Sequence, residues 1–182
     1  LTWPAVAMLL ESDTPGFEAL IAPGHVATIM GPEEWEFVVK RHGIPAAVAG
    51  FTPESLLAAM YSTLRQLIEG RRFLDNCYPE VVKPGGNRTA QRQLQQAMDV
   101  TAANWRGVGV IPASGFAINH RYRAHDARLA FPDYADDARK RAGEMPPGCD
   151  CARVVLGKIY PNECRLFGVA CKPRHPIGPC MV

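Results

Sequence analysis

The stretch from Gly43 to Gly70, GIPAAVAGFTPESLLAAMYSTLRQLIEG, decides the fold class. Ile44 to Gly50 is a short apolar run that reads as a buried strand. A helix follows almost at once, because Thr52 is a good N-cap and Pro53 suits the first turn. Leu56, Leu57, Met60, Tyr61, Leu64, Leu67 and Ile68 recur on one helical face, and Gly70 ends the run. That stripe is expected to cover a sheet face. A buried strand followed by an amphipathic helix is the repeating unit of an α/β layer fold.

The same alternation extends in both directions. Phe17 to Ala22 is a short apolar run closed by Pro23-Gly24-His25, and Val26 to Met30 can open a helix. Pro32 to Lys40 is a better helix. It has Pro in the first turn, Glu33 and Glu34 at the positive N-terminus and Lys40 near the end, with His42-Gly43 as C-cap. Downstream, Pro84-Gly85-Gly86-Asn87 is a turn, and Asn87 caps a helix running through Met98. Val108 to Ile111 reads as a third strand, broken by Pro112-Ala113-Ser114-Gly115. Residues 119 to 143 look helical, exposed and interrupted by Pro132. Pro146-Pro147-Gly148 marks a boundary. The expected architecture is a Rossmann-like α/β/α layer domain over residues 1–145, followed by a small irregular cysteine-rich segment over 146–182.

Composition narrows the function. The chain has 182 residues, 47% hydrophobic and 21% charged, which is globular composition. No apolar run reaches the ~18 residues that would span a bilayer. The opening LTWPAVAMLLESD lacks a basic n-region and a cleavage site, so it is not a signal peptide. With no initiator Met and an ending on GPCMV, the chain is expected to be part of a larger protein, open at both ends. The net charge of +2 is dispersed and gives no nucleic-acid footprint. No Ser–His–acid arrangement and no phosphate-loop pattern is present, which argues against an enzyme using Cys77 or His25 in nucleophilic chemistry.

Five of the six cysteines lie from Cys149 onward, at Cys149, Cys151, Cys164, Cys171 and Cys180. Clustering of this kind without an export signal favours a metal site over a disulfide framework. Structural zinc sites usually pair their cysteines two to four residues apart, twice over, and this segment does not. Gaps of twelve and six residues after Cys151 and Cys164 lean toward a cubane cluster, whose four corners accept varied loops. Zinc, disulfides and free thiols remain alternatives on spacing alone. Gly157, Gly168 and Gly178 can let backbone approach a bound group closely. Cys77, beside Tyr78, reads as a small buried hydrophobe.

The tail carries Cys149-x-Cys151, then Val155, Leu156 and Gly157, and Cys164 followed by Leu166-Phe167-Gly168. Cys171 with Pro173, and Pro176 through Val182, complete the pattern. Upstream, in order, stand APGHVATIMG (Ala22 to Gly31), PAAVAGFTPESLL (Pro45 to Leu57), NCYPEVVKPGGN (Asn76 to Asn87) and WRGVGVIPASG (Trp105 to Gly115). This ordered set resembles the C-terminal part of the HypD family of hydrogenase formation proteins, over nearly the whole chain. Thr52 and Gly85 depart from it, standing where the family usually has acidic residues. The family's N-terminal cysteine motifs would lie upstream of Leu1.

The resemblance implies a cytoplasmic, non-enzymatic scaffold. Such a scaffold holds iron with a HypC-type partner while cyanide and carbon monoxide are attached, and a HypE-type partner delivers the cyanide. It also implies a redox [4Fe–4S] cluster in the C-terminal region and a monomer before complex formation. Cys151, Cys164 and Cys171 carry over as three cluster ligands. The resemblance puts the fourth ligand beyond Met181-Val182, and Cys149 and Cys180 are nearby thiols that can substitute. His25, after a strand end, is implied as an iron-cleft residue, with a structural hydrogen bond as its plainer role. The rival to this reading is a structural zinc module without a redox role.

Overall fold

The computed structural model describes residues 1–11, 16–134 and 145–181. Helix α1 spans Thr2–Leu10. Two compact units follow, one built on Phe17–Gln96 and the other on the chain from Ala97 on.

The first unit is mixed α/β. Strands β1 (Leu20–Pro23), β2 (Ala46–Ala49) and β3 (Leu74–Asn76) form a parallel sheet in the order β1-β2-β3. Leu20 pairs with Ala46, and Val48 pairs with Asn76. Helices α2 (Gly24–Met30) and α3 (Glu36–His42) connect β1 to β2, with a 3-10 turn at Pro32–Trp35 between them. Gly43 takes the left-handed conformation, φ 64°, that the expected C-cap requires. Helix α4 (Pro53–Ile68) starts on Thr52, whose side chain accepts the Ser55 N–H. Helix α5 (Arg88–Ala97) starts on Asn87, whose Oδ1 accepts the N–H groups of Thr89 and Ala90.

One expectation is reversed. The apolar stripe of α4 does not cover the sheet. Leu57 is 64% exposed and Ile68 86%, and Leu56, Met60, Tyr61 and Leu64 are exposed too. The buried face is instead Ser55, Ala59, Ser62, Thr63 and Gln66. The cause lies in β2, all four of whose residues are buried and three of which are alanine. Ala59 packs on Ala47 and Ala49, so the helix comes close. At that distance short polar side chains reach the strand ends. Ser55 Oγ accepts the Gly50 N–H at 2.8 Å and donates to the Cys77 carbonyl at 3.0 Å. Ser62 donates to Asp75, and Gln66 Oε1 accepts the Phe73 N–H. These bonds satisfy backbone groups that burial would otherwise strand. A leucine on this face would hold the helix away and break them.

The second unit contains a hairpin of β4 (Met98–Trp105) and β5 (Gly109–Ile118), paired antiparallel. Val108–Ile111 is therefore not a third strand of the parallel sheet, and the Pro112 segment does not end the strand. The register shifts between Thr101 and Ala103, so that β5 carries extra residues there. This bulge absorbs Pro112, which has no N–H to give a ladder. Ala113 takes φ 52°, and buried Ser114 donates to the Ile111 carbonyl while accepting the Trp105 indole N–H. Beyond the hairpin, the stretch read as helical begins with a 3-10 run at His120–His125 and a single turn, α6 (Ala127–Ala130). The rest of it, from 135 to 143, lies outside the described residues.

Candidate metal centre

From Met145 the second unit has little regular structure, with a one-turn helix α7 (Cys151–Val155) and a 3-10 turn at Pro161–Glu163. Cys151 opens α7, and short loops hold the other cysteines. Cys151, Cys164 and Cys171 are buried, Cys149 is half-buried and Cys180 is exposed, and all are free thiols.

The loop from Cys164 to Cys171 closes on itself. The Phe167 N–H donates to the Cys164 carbonyl, and the Cys171 N–H donates to the Leu166 carbonyl at 2.8 Å. Gly168, at φ 72°, turns the chain so that its N–H reaches the Cys171 carbonyl. Backbone N–H groups then converge on sulfur. Asp150 and Leu166 direct theirs at Cys164, with a lesser contribution from Phe167, and hold that thiol below its ordinary range. The Ile177 N–H donates to Cys171 Sγ at 3.3 Å, and the Cys180 N–H donates to Cys151 Sγ at 3.3 Å. N–H donors stabilise a thiolate because they meet negative charge on sulfur.

Cys149, Cys151 and Cys180 form a tighter group. The Cys151 and Cys180 sulfurs are 2.8 Å apart. Burial pushes the Cys151 thiol up, and its hydrogen bond with Cys180 adds to that. Burial also raises Cys149. Gly178 is buried against the sulfurs of Cys149 and Cys151, and a Cβ there would collide with both. Of the three glycines expected to admit close approach, Gly178 alone meets sulfur. Gly157 faces the Gly16 backbone, and Gly168 faces open space. The N–H donors to sulfur left no mark in the sequence, because they depend on loop conformation.

The remaining candidates lie in the first unit. His25 is exposed at the carboxyl end of β1, with its ring 5.0 Å from that of Phe51. Cys77 is half-buried against the alanine core. It lines a cavity of about 280 Å³ with Ser62, Gln66 and Asp75. Among the described residues, no three His, Cys, Asp or Glu side chains are grouped tightly enough to hold a single metal ion. Among them, too, no helix is long and apolar enough to cross a membrane.

Comparison with known proteins extends this description. The family model described as "HypD: Hydrogenase formation hypA family" matches residues 1–182. The chain is 36% identical over 179 residues to the hydrogenase maturation factor HypD of Rhodobacter capsulatus, covering 97% of this chain and 47% of that protein. It is 34% identical over 184 residues to the hydrogenase maturation factor HypD of Escherichia coli, covering 98% and 47%. A putative hydrogenase expression/formation protein of Methanocaldococcus jannaschii is 33% identical over 179 residues, covering 98% and 49%. The chain thus spans about half the length of the curated relatives it matches. With a match that runs from its first residue to its last, the chain belongs to the HypD family.

Proposed function

We propose that this chain is part of a cytoplasmic scaffold on which the Fe(CN)2CO centre of nickel–iron hydrogenases is assembled, and that its cysteine segment carries a [4Fe–4S] cluster. The observation that carries the reading is the set of buried Cys151, Cys164 and Cys171 thiols, each met by at least one backbone N–H, in a chain of this family. The donor chemistry fits: thiolates are the soft ligands that iron–sulfur clusters take, and N–H donors to sulfur tune them. Cys151, Cys164 and Cys171 hold three corners, and Gly178 leaves sulfur room that a side chain would fill. When bound, the cluster supplies one-electron chemistry.

The α/β unit has a complementary role, as a Rossmann-like wall of the cleft in which the cargo iron and a HypC-type partner dock, while a HypE-type partner supplies cyanide. Ligands in such folds sit at the carboxyl ends of strands, which is where His25 and Phe51 stand. A neutral imidazole at His25 can bind iron or orient a thiolate.

The short Cys151–Cys180 contact favours a second arrangement of the same centre. In it these two thiols form a pair of their own, and Cys149 takes the third corner with Cys164 and Cys171. Anaerobic reconstitution of the full-length protein tests both arrangements, with iron and zinc analysis and the visible spectrum. About four irons per chain supports the cluster, and stoichiometric zinc means a structural module instead. Loss of iron in Cys151→Ser but not in Cys149→Ser supports the first arrangement. The reverse supports the second.

A further inference from the structure

The surface above Cys164 and Cys171 has a composition of its own. Between the two buried cysteines, Phe167 is 40% exposed and Val169 74% exposed, with Gly168 and Ala170 open beside them. The hydrogen bonds that close this loop fix it as a small apolar knob rather than a loose tip. Arg165 leads into it, and Lys172 and Arg174 follow it on a second tight turn. In that turn Lys172 and His175 exchange backbone hydrogen bonds at 3.2 and 2.8 Å.

Charge is one-sided here. From 145 to 181 the basic side chains are Arg153, Lys158, Arg165, Lys172 and Arg174, against Asp150 and Glu163 alone. Both acids are engaged. Asp150 pairs with Arg153 at 3.8 Å, and Glu163 accepts the Tyr160 N–H at 2.6 Å. Arg165, Lys172 and Arg174 are exposed and have no acidic partner among the described residues.

We propose that this knob and its cationic rim are the docking surface for a small acidic one-electron carrier protein, of the ferredoxin class. The inference rests on the cluster reading above. An exposed apolar loop flanked along the chain by exposed charge of one sign suits a steered, short-lived protein contact. Weak electron-transfer encounters bury the least surface among specific protein contacts. Because the knob is the loop that carries Cys164 and Cys171, a carrier seated on it stands a few bonds from both sulfurs. With a cluster held by Cys151, Cys164 and Cys171, the carrier's reduced centre would give up one electron and the cluster would take it up. No bond forms or breaks.

The test uses the full-length, cluster-loaded protein and a small acidic [2Fe–2S] ferredoxin, with binding followed by calorimetry and by NMR line broadening. The expected result is association that weakens steeply with added salt. It should also weaken about tenfold in Lys172→Glu/Arg174→Glu, a change of rim charge, with the cluster spectrum unchanged. Phe167→Ala should weaken it without altering the salt dependence. Ferredoxin binding that is indifferent to both salt and these variants overturns the proposal. So does an absence of ferredoxin binding alongside salt-sensitive binding to anionic lipid vesicles. Failure to bind ferredoxin by a protein with a full cluster spectrum removes this inference alone. A protein that takes up no iron removes the cluster reading beneath it.

Discussion

The sulfurs of Cys151 and Cys180 lie 2.8 Å apart across a sequence separation of 29 residues. Two thiols held this close need little loop movement to become a disulfide. Mild oxidation of metal-free protein should therefore cross-link Cys151 to Cys180 before any other pair, as read by peptide mapping without reductant. A dominant link between Cys164 and Cys171 would contradict the arrangement.

Gly178 supplies a second outcome. In Gly178→Ala the new methyl meets the Cys149 and Cys151 sulfurs. Cluster loading should drop at least severalfold, while the parallel-sheet unit melts as before. Iron content and circular dichroism read the two effects separately, and full loading of the variant would show that the segment opens freely.

The thiols should titrate in a set order. Cys164 ionises below the ordinary cysteine range because the Asp150 and Leu166 N–H groups meet its charge. Burial, with Asp75 beside it, pushes the Cys77 thiol up to about 11 from an ordinary 9.0. Between those values the folded state binds more protons at Cys77 than the unfolded state does. Its stabilising contribution is thus complete below pH 9.0 and is lost as pH rises toward about 11. Denaturation measured across that window should show a falling slope in the native protein that Cys77→Ala lacks. Equal slopes would refute the assignment.

Helix α4 offers the sharpest mutational contrast. Ala59→Leu enlarges a side chain in the alanine contact with β2 and should cost about 1–3 kcal/mol. Gln66→Leu leaves the Phe73 N–H without its acceptor, which should also cost about 1–3 kcal/mol. Leu57→Gln, on the outward stripe, should stay within about 0.5 kcal/mol. Urea denaturation of the three variants distinguishes this orientation from one with the leucines inward, which would reverse the order.

That contrast also shows what the sequence could tell. Local chemistry was legible: Thr52 and Asn87 cap helices as their side chains require, Gly43 turns a C-cap, and Ile44–Gly50 contains the central strand. The pattern of ordered motifs also placed the chain in its family. Pairing was not legible. Val108–Ile111 has strand composition, but nothing in it says parallel or antiparallel, and the bulge at Pro112 is a property of two strands together. The face of α4 was misjudged because periodicity reports where apolar residues lie and not what they meet. Only the alanines of β2, read together with Ser55, Ser62 and Gln66, could have signalled a close polar contact. In the cysteine segment, the spacing marked five thiols but could not say which sulfurs touch.

The outward stripe of α4 has a practical consequence for anyone handling this polypeptide. Large apolar surfaces left in water self-associate, whatever the integrity of the fold beneath them. Leu57, Met60, Tyr61, Leu64 and Ile68 lie open along about three turns of one helix. Purified by itself, the chain should lose colloidal stability before conformational stability. Light scattering would rise with concentration while its circular dichroism stayed constant, and mild detergent would restore a single species. Turbidity in such a preparation reports the outside of one helix rather than failure of the protein to fold.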